Sequence, residues 1–321
     1  MLVDPQRRKT AVAALSVLSN SCLVALKLTV GLLIGSVSVI SEAIHSGVDL
    51  LAALIALFAV RKSGKPADAE HPYGHGKVEN ISGAIEALLI FVAAGWIIYE
   101  AVGKLRHPEP IDAAGWGVGV MLVSAVVNMG VSHQLFKVGN ETDSIALKAD
   151  AWHLRTDVYT SAGVMGGLGL IWLGQRLWPQ GSLAWIDPVA AIAVAVLIIK
   201  AAYDLTKDSA RDLLDAKLPA EEEEWIRNYI GDYRGVVRGV HDLRTRKSGA
   251  QRFVEFHVLM PRELSVEQSH DHTADLSKGI KAHFPGAAVT IHVDPCRLDC
   301  PPACLDDCLL SEEERADLQE A

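Results

Sequence analysis

No Gly-rich loop ending in Lys-Ser or Lys-Thr occurs in these 321 residues, so the chain lacks the phosphate cradle of a nucleotide-driven pump. No His-Glu-x-x-His occurs either, which removes a common helical signature of zinc hydrolases. There is no basic stripe; the net charge is −9, and a nucleic acid is excluded as a partner. A cleavable leader is not expected: Arg7-Arg8-Lys9 precede an apolar run that is long and has no clear small-residue cleavage site. Cysteine is scarce. Of five, Cys22 falls in the first apolar run, where it is expected to pack, and Cys296, Cys300, Cys304 and Cys308 crowd the C-terminus.

What is abundant is apolar. Half of the residues (50%) are hydrophobic and the mean hydropathy is positive, as in a membrane protein carrying a soluble part. Six runs long enough to cross a bilayer are expected at Ala11–Ile34, Val39–Val60, Ile81–Val102, Gly115–Leu135, Ile145–Leu173 and Ala184–Tyr203. Arg7, Arg8 and Lys9 precede the first, and Arg61, Lys62, Lys65 and Lys77 follow the second. The opposite side holds only Gly35-Ser36, then Lys104 and Arg106, then Arg176. The excess of positive charge puts both termini in the cytoplasm. The acidic residues gather later, at Glu221 to Glu224 and Glu312 to Glu314, and read as a solvated face.

Two of the apolar runs carry groups that lipid does not tolerate cheaply. The fifth contains His153 and Asp157, and the second contains His45 and Asp49. An Asp at a helix centre costs about 2.5–3.5 kcal/mol on insertion scales, so such residues usually face a pathway or a ligand. Four-residue spacing places each pair on one helix face. Two imidazoles and two carboxylates make a closed tetrahedral set for zinc, and the carboxylates offset the ion's charge. A single pair reads equally well as interhelical packing; the repeat of the pair in a second helix favours the metal. Other polar residues in the runs read more plainly. Asn128 is expected to hydrogen-bond a neighbouring helix, Glu86 to face water near a span entrance, and Asp187-Pro188 to start a helix. Lys27 either snorkels or lines a cavity. Between the second and third runs, Asp68, His71 and His75 flank a Pro- and Gly-rich turn and can close on one ion, although surface loops often carry histidine without one.

From about Asp208 the pattern becomes that of a small soluble domain. Helices are expected at Pro219–Tyr233 and Ser265–Phe284, and strands at Val236–Thr245, Arg252–Met260 and Ala288–Val293. This α-β-β-α-β order predicts a helix layer on a small sheet. Alternation puts Val254, Phe256, Val258 and Met260 on one face, and gathers His241, His257, His292 and Asp294 on the other. His270 and His272 are placed to approach from the second helix.

Taken together, these residues resemble the cation diffusion facilitator family, closest to its bacterial zinc and ferrous-iron efflux branch. The resemblance runs from the first span to about Cys296. It is carried by Gly35-Ser36-Val37-Ser38, the two four-spaced pairs, and His71-Pro-Tyr-Gly-His75-Gly-Lys77-Val-Glu79. Leu213-Leu214-Asp215, His241-Asp-Leu-Arg-Thr-Arg and His292-Val-Asp294-Pro complete it. It implies an α-helical polytopic membrane protein with six transmembrane helices and a small α/β cytoplasmic metallochaperone-like domain, assembled as a homodimer. It implies a transport site of His45, Asp49, His153 and Asp157, a loop site of Asp68, His71 and His75, and a binuclear cytoplasmic site of His241, His257, His270, His292 and Asp294. It also implies a charge interlock between Lys77 and Asp215 near the dimer axis. The expected division is residues 1–207 for the membrane domain, 208–295 for the cytoplasmic domain and 296–321 for a Cys-rich acidic tail.

Two features depart from that pattern. Efflux-branch members often carry aspartate where His45 stands; an imidazole there makes the site softer and less anionic, favouring zinc over manganese. The tail Cys296-x3-Cys300-x3-Cys304-x3-Cys308 matches the family only at its first cysteine. Pro301-Pro302 break any helix that would align the four, and a reducing cytoplasm disfavours disulfides. A thiolate metal site and a loosely ordered tail both remain. The expected function is efflux of Zn2+ across the inner (plasma) membrane with protons as counter-ion. The alternatives are export of Cd2+, Fe2+ or Mn2+, and a membrane metal sensor without flux.

Overall fold

Alanine and small polar groups are prominent in the interior of the membrane unit, beside leucines such as Leu135, Leu147 and Leu154. The computed structural model describes residues 4–34, 37–106, 115–177 and 185–320, and it divides into two units at Leu213/Leu214. Among the described residues the first unit holds six long helices: α1 (Pro5–Ile34), α2 (Val37–Ser63), α3 (Lys77–Arg106), α4 (Gly115–Glu141), α5 (Ile145–Leu177) and α6 (Ile186–Leu213). Among the described residues, four (Pro5–Leu33, Ala43–Ser63, Lys77–Arg106 and Pro188–Leu213) are long and apolar enough to cross a membrane by length and composition. Helix α5 interrupts its apolar run with Lys148, Asp150, Arg155 and Asp157. Gly35 and Ser36 of the family motif lie outside the described residues. Helix α6 runs past the expected 207 boundary because Ser209 is still buried against α3, where a Cβ on Gly83 would meet Ser209 Oγ at 2.7 Å and Ile145 Cγ2 at 2.6 Å.

The closest packing is α3 on α6, α1 on α2 and α4 on α5. Ala52, Ala53, Ala56, Ala87, Ala94, Ala149 and Ala202 are buried, while Leu33, Phe58, Trp96 and Leu197 point outward. Small residues let helix backbones approach where no water drives association, and large apolar side chains suit the lipid side. The buried face of α1 is an exception, carrying Lys9, Ser16, Asn20 and Lys27 beside Ala13 and Leu23. Cys22 falls off that face and is exposed, so the expected packing role is corrected.

The second unit has the expected order: α7 (Ala220–Gly231), β1 (Gly239–Ser248), β2 (Gln251–Pro261), α8 (Val266–His283) and β3 (Ala288–Cys296), then α9 (Pro302–Leu305) and α10 (Glu312–Glu320). The sheet order is β1-β2-β3, antiparallel between the first pair and parallel between the second. Val254, Phe256, Val258 and Met260 pack with Ile226 and Ile230 of α7 and Leu276 and Ile280 of α8. A capping box starts α8: Ser265 Oγ accepts from Gln268 N at 3.2 Å, and the Gln268 side chain accepts from Ser265 N at 2.9 Å. Helices α7 and α8 meet at Gly279, where a Cβ would lie 1.7 Å from Tyr229 Oη.

Candidate metal sites

Each candidate ligand in the membrane unit faces a group of the opposite kind on the other helix. His153 Nε2 of α5 lies 3.1 Å from Asp49 Oδ1 of α2, and His45 Nε2 of α2 lies 3.8 Å from Asp157 Oδ1 of α5. One donor atom each from His45, Asp49 and Asp157 falls within 4.8 Å of the others. His153 joins them through Asp49; it is buried, and its Nδ1 has no hydrogen-bond partner. Asp49 is buried, whereas the His45 side chain is 55% exposed, so the group opens on the His45 side. One neighbour holds a candidate ligand and another holds the residue beside His45. Asn128 of α4 donates to Asp157 Oδ2 at 3.4 Å, and Lys27 of α1 donates to Ser46 Oγ at 2.8 Å. The expected interhelical bond of Asn128 thus goes to a candidate ligand, and Lys27 points into the bundle rather than snorkelling.

Sequence reading missed a set of buried polar groups beside this site. Glu86, expected to face water, is fully buried at 0% exposure; Ser82 donates to its Oε1 at 3.1 Å, while Oε2 has no partner. The cause is the tight seam of α3 against α5 and α6, which a charge count cannot show. Asp150, one turn before His153, is also buried, and neither carboxylate oxygen has a hydrogen-bond partner. Lys9, counted above as a loop charge, is buried and pairs with Glu79 Oε1 at 2.5 Å. Ser63 donates to the same oxygen at 2.6 Å, and Ser144 donates to Oε2. One carboxylate at the start of α3 therefore joins α1, the end of α2 and the start of α5.

The loop before α3 folds around Asp68. Its Oδ1 accepts from His71 N at 2.7 Å and Glu70 N at 3.1 Å, with His71 Nδ1 at 3.2 Å. The backbone bond from His71, with help from the His71 side chain, holds the Asp68 carboxyl below the usual aspartate range against a smaller opposing effect of desolvation. Gly74 turns the chain at φ 81°, a conformation that favours glycine. This brings His75 Nε2 to 3.3 Å from Asp68 Oδ2. His75 is 3% exposed, yet neither ring nitrogen makes a hydrogen bond. A buried imidazole that makes no hydrogen bond is costly, and an ion at this group would satisfy it. The three residues therefore fit a metal.

In the second unit the strand register lines up one histidine from each strand. His241 pairs with His257 across β1 and β2, and His257 pairs with His292 across β2 and β3. Asp294 faces all three, with Oδ2 at 3.0 Å from His257 Nδ1 and 3.3 Å from His241 Nε2, and Oδ1 at 3.3 Å from His292 Nε2. Just after His241 the register shifts, and Asp242 takes a left-handed φ of 52°. Such a bulge re-aims side chains at a strand end. His270 is not in this group. Helix α8 buries Leu276 and Ile280 on the apolar face, opposite the histidine row, and leaves His270 exposed. Lys77 heads α3 in the first unit; in the second unit Asp215 lies 3.4 Å from Arg246. The four tail cysteines line a common cavity.

Paired imidazole and carboxylate groups inside one helical bundle, and a second unit with a histidine and aspartate cluster, are what a polytopic membrane carrier of metal cations requires. The cation efflux transmembrane domain matches residues 13–214, and the cation efflux protein cytoplasmic domain, a dimerisation domain, matches residues 218–296. The chain belongs to the cation efflux (cation diffusion facilitator) family: it is a divalent-cation efflux transporter, not an enzyme, with several membrane helices and an α/β cytoplasmic domain of dimer-forming type. An uncharacterized transporter of Synechocystis sp. is 35% identical over 283 residues, covering 88% of this chain and 89% of that protein. The cation-efflux pump FieF of Klebsiella pneumoniae is 34% identical over 287 residues, covering 89% of this chain and 92% of the pump. A solved structure of the putative zinc transporter CzrB in its Zn form is 37% identical, covering 26% of this chain and 96% of that one, with a TM-score of 0.25.

Proposed function

We propose that this transporter exports Zn2+ in exchange for protons, by alternating access, as a homodimer in the inner (plasma) membrane with both termini in the cytoplasm. The crossed pairing of His45 with Asp157 and of His153 with Asp49 is the observation that carries the reading. Two imidazoles and two carboxylates suit zinc in charge, geometry and softness, whereas manganese prefers an all-oxygen set. Cadmium and ferrous iron are the next candidates. The Zn form of CzrB supports the same choice of metal for the cytoplasmic domain.

Protons release the cargo in this reading. An imidazole titrates near about pH 6.5 in water, so a more acidic exterior protonates His45 or His153. Protonation removes a ligand and adds a repelling charge. Asn128 keeps Asp157 oriented while Lys27 fixes Ser46 next to His45. Asp68, His71 and His75 would hold a second, weaker ion. His241, His257, His292 and Asp294 would hold regulatory zinc that bridges the two copies, with His270 supplied from outside the strand row. Lys77 and Asp215 are assigned to the interlock between membrane and soluble parts.

Zinc uptake into dye-loaded proteoliposomes tests this, with and without a pH gradient. We expect gradient-driven flux in the native protein and at least a tenfold loss in Asp157→Ala. Metal binding without flux of zinc, cadmium, iron or manganese would make the protein a sensor. Undiminished flux in Asp157→Ala would displace the site.

A further inference from the structure

The tail after β3 is built into the second unit. Leu309 N donates to Arg238 O at 2.9 Å, Val240 N donates to Asp307 O at 3.1 Å, and Gly239 and Cys308 form a bridge at the free edge of β1. A covered edge strand is protected from pairing with other chains. From the other side, Gln319 of α10 donates to Leu298 O at 2.7 Å and lies 3.7 Å from Cys300 Sγ. The connecting turn places Leu298 at φ 61° and Cys300 at φ 40°, left-handed values that side-chain-bearing residues rarely adopt. The proline pair that excludes a continuous helix thus leads into the four-residue α9, and the chain doubles back.

This path brings Cys296, Cys300, Cys304 and Cys308 onto the wall of one cavity of about 420 Å³. Cys296 is buried and the other three are partly shielded. Arg238, Arg297 and Arg315 also line the cavity, against Asp299 and Asp307. A divalent ion held by four thiolates carries two negative charges, which guanidinium groups at the wall offset.

We propose that Cys296, Cys300, Cys304 and Cys308 form a separate thiolate site for a thiophilic divalent cation, Zn2+ or Cd2+. The sulphurs stand round the cavity rather than at one point, so rotation of the cysteine side chains closes the wall on the ion. Each bound sulphur gives up its proton to solvent, so loading releases protons and strengthens as pH rises. His241 lines the same cavity and belongs to the histidine row, which sets this site beside the one on the sheet. Loading would pin α9 and α10 to the edge of β1. The inference does not depend on which metal crosses the membrane.

Co2+ is the probe, because sulphur-to-cobalt charge-transfer absorption comes from thiolates and not from the histidine and aspartate sites. The full-length protein in detergent, kept reduced, is expected to develop that band to saturation at one thiolate-bound ion per chain and to lose it when Zn2+ is added. Cys300→Ser with Cys304→Ser should remove at least nine-tenths of the band, and His45→Ala should leave it intact. In the native protein Zn2+ should also slow alkylation of Cys300, Cys304 and Cys308 at least tenfold, a readout that needs no variant. Absence of the band in reduced native protein, its survival in the double variant, or alkylation unaffected by Zn2+ would each overturn the assignment. Transport measured on the same double variant separates this outcome from that of the Asp157→Ala test.

Discussion

At the scale of single residues, the buried charges are the most consequential feature of the membrane unit. Lys9 and Glu79 are almost entirely shielded and meet at 2.5 Å. Removing one partner of a buried pair leaves the other charge without compensation, at a cost of about 3–5 kcal/mol. Lys9→Ala should therefore lower the thermal unfolding midpoint in detergent sharply, and Lys9→Met with Glu79→Gln should recover much of the loss. A double variant no more stable than the single one would show that the pair is not a unit. Neither partner's role was legible in the sequence. Lys9 stands beside Arg7 and Arg8, where a count of loop charges absorbs it, and Glu79 sits in a polar loop motif. The candidate transport ligands were legible because His-x3-Asp occurs twice in apolar runs, where any polar group needs a reason. Asp150 met the same criterion but stood outside the repeated His-x3-Asp pattern.

At the scale of elements, the sheet was readable because its side-chain period is two. The alternation Val254-Phe256-Val258-Met260 fixes which face meets the helices and therefore which face shows His257. Strand register then carries His241 and His292 to the same row. The placement of α8 was less readable, since the sequence shows its apolar side but not how far its first turn stands from the histidine row, and His270 lies apart from that row. Glu223 illustrates how helix and strand are joined. Thr245 Oγ1 of β1 donates to its Oε1 at 2.7 Å, and Lys217 Nζ lies 3.1 Å from its Oε2. Burial alone would raise the Glu223 carboxyl, but these two hydrogen bonds prevail and hold it below the usual glutamate range. A carboxyl depressed on folding stabilises fully above its unfolded value, about pH 4.3, and the contribution disappears as pH falls through the folded value. The protection factors of amides in α7 and β1 (exchange rates corrected for the intrinsic pH dependence) should accordingly fall on acidification in the native protein. In Glu223→Gln they should already be low at pH 7 and depend less on acid. An unchanged pH profile would sink this account.

At the scale of the whole molecule, the described residues of two compact units carry three candidate ion groups in addition to the cysteine cavity. The regulatory role assigned to the sheet predicts that His292→Ala shifts the zinc dependence of the transport rate to higher concentration while flux at saturating zinc is retained. An unshifted curve would leave the histidine row without a regulatory part. The division into membrane and soluble parts was plain from hydropathy, although α6 runs six residues past the boundary that composition suggested. Hydropathy falls when Lys207, Asp208 and Arg211 enter, while helix packing through Ser209 continues.

The Glu79 carboxylate has a mechanical meaning as well. It joins three helices at one end of the bundle, where Arg8 also pairs with Glu141 at 2.5 Å and Asn80 donates to Asp212 at 2.9 Å. Helices lashed together at one end cannot separate there without breaking the buried Lys9–Glu79 pair. Any rocking that exposes His45 and Asp157 must turn about that knot as a lever turns about its fulcrum, with the far ends of α2 and α5 sweeping the longer arc.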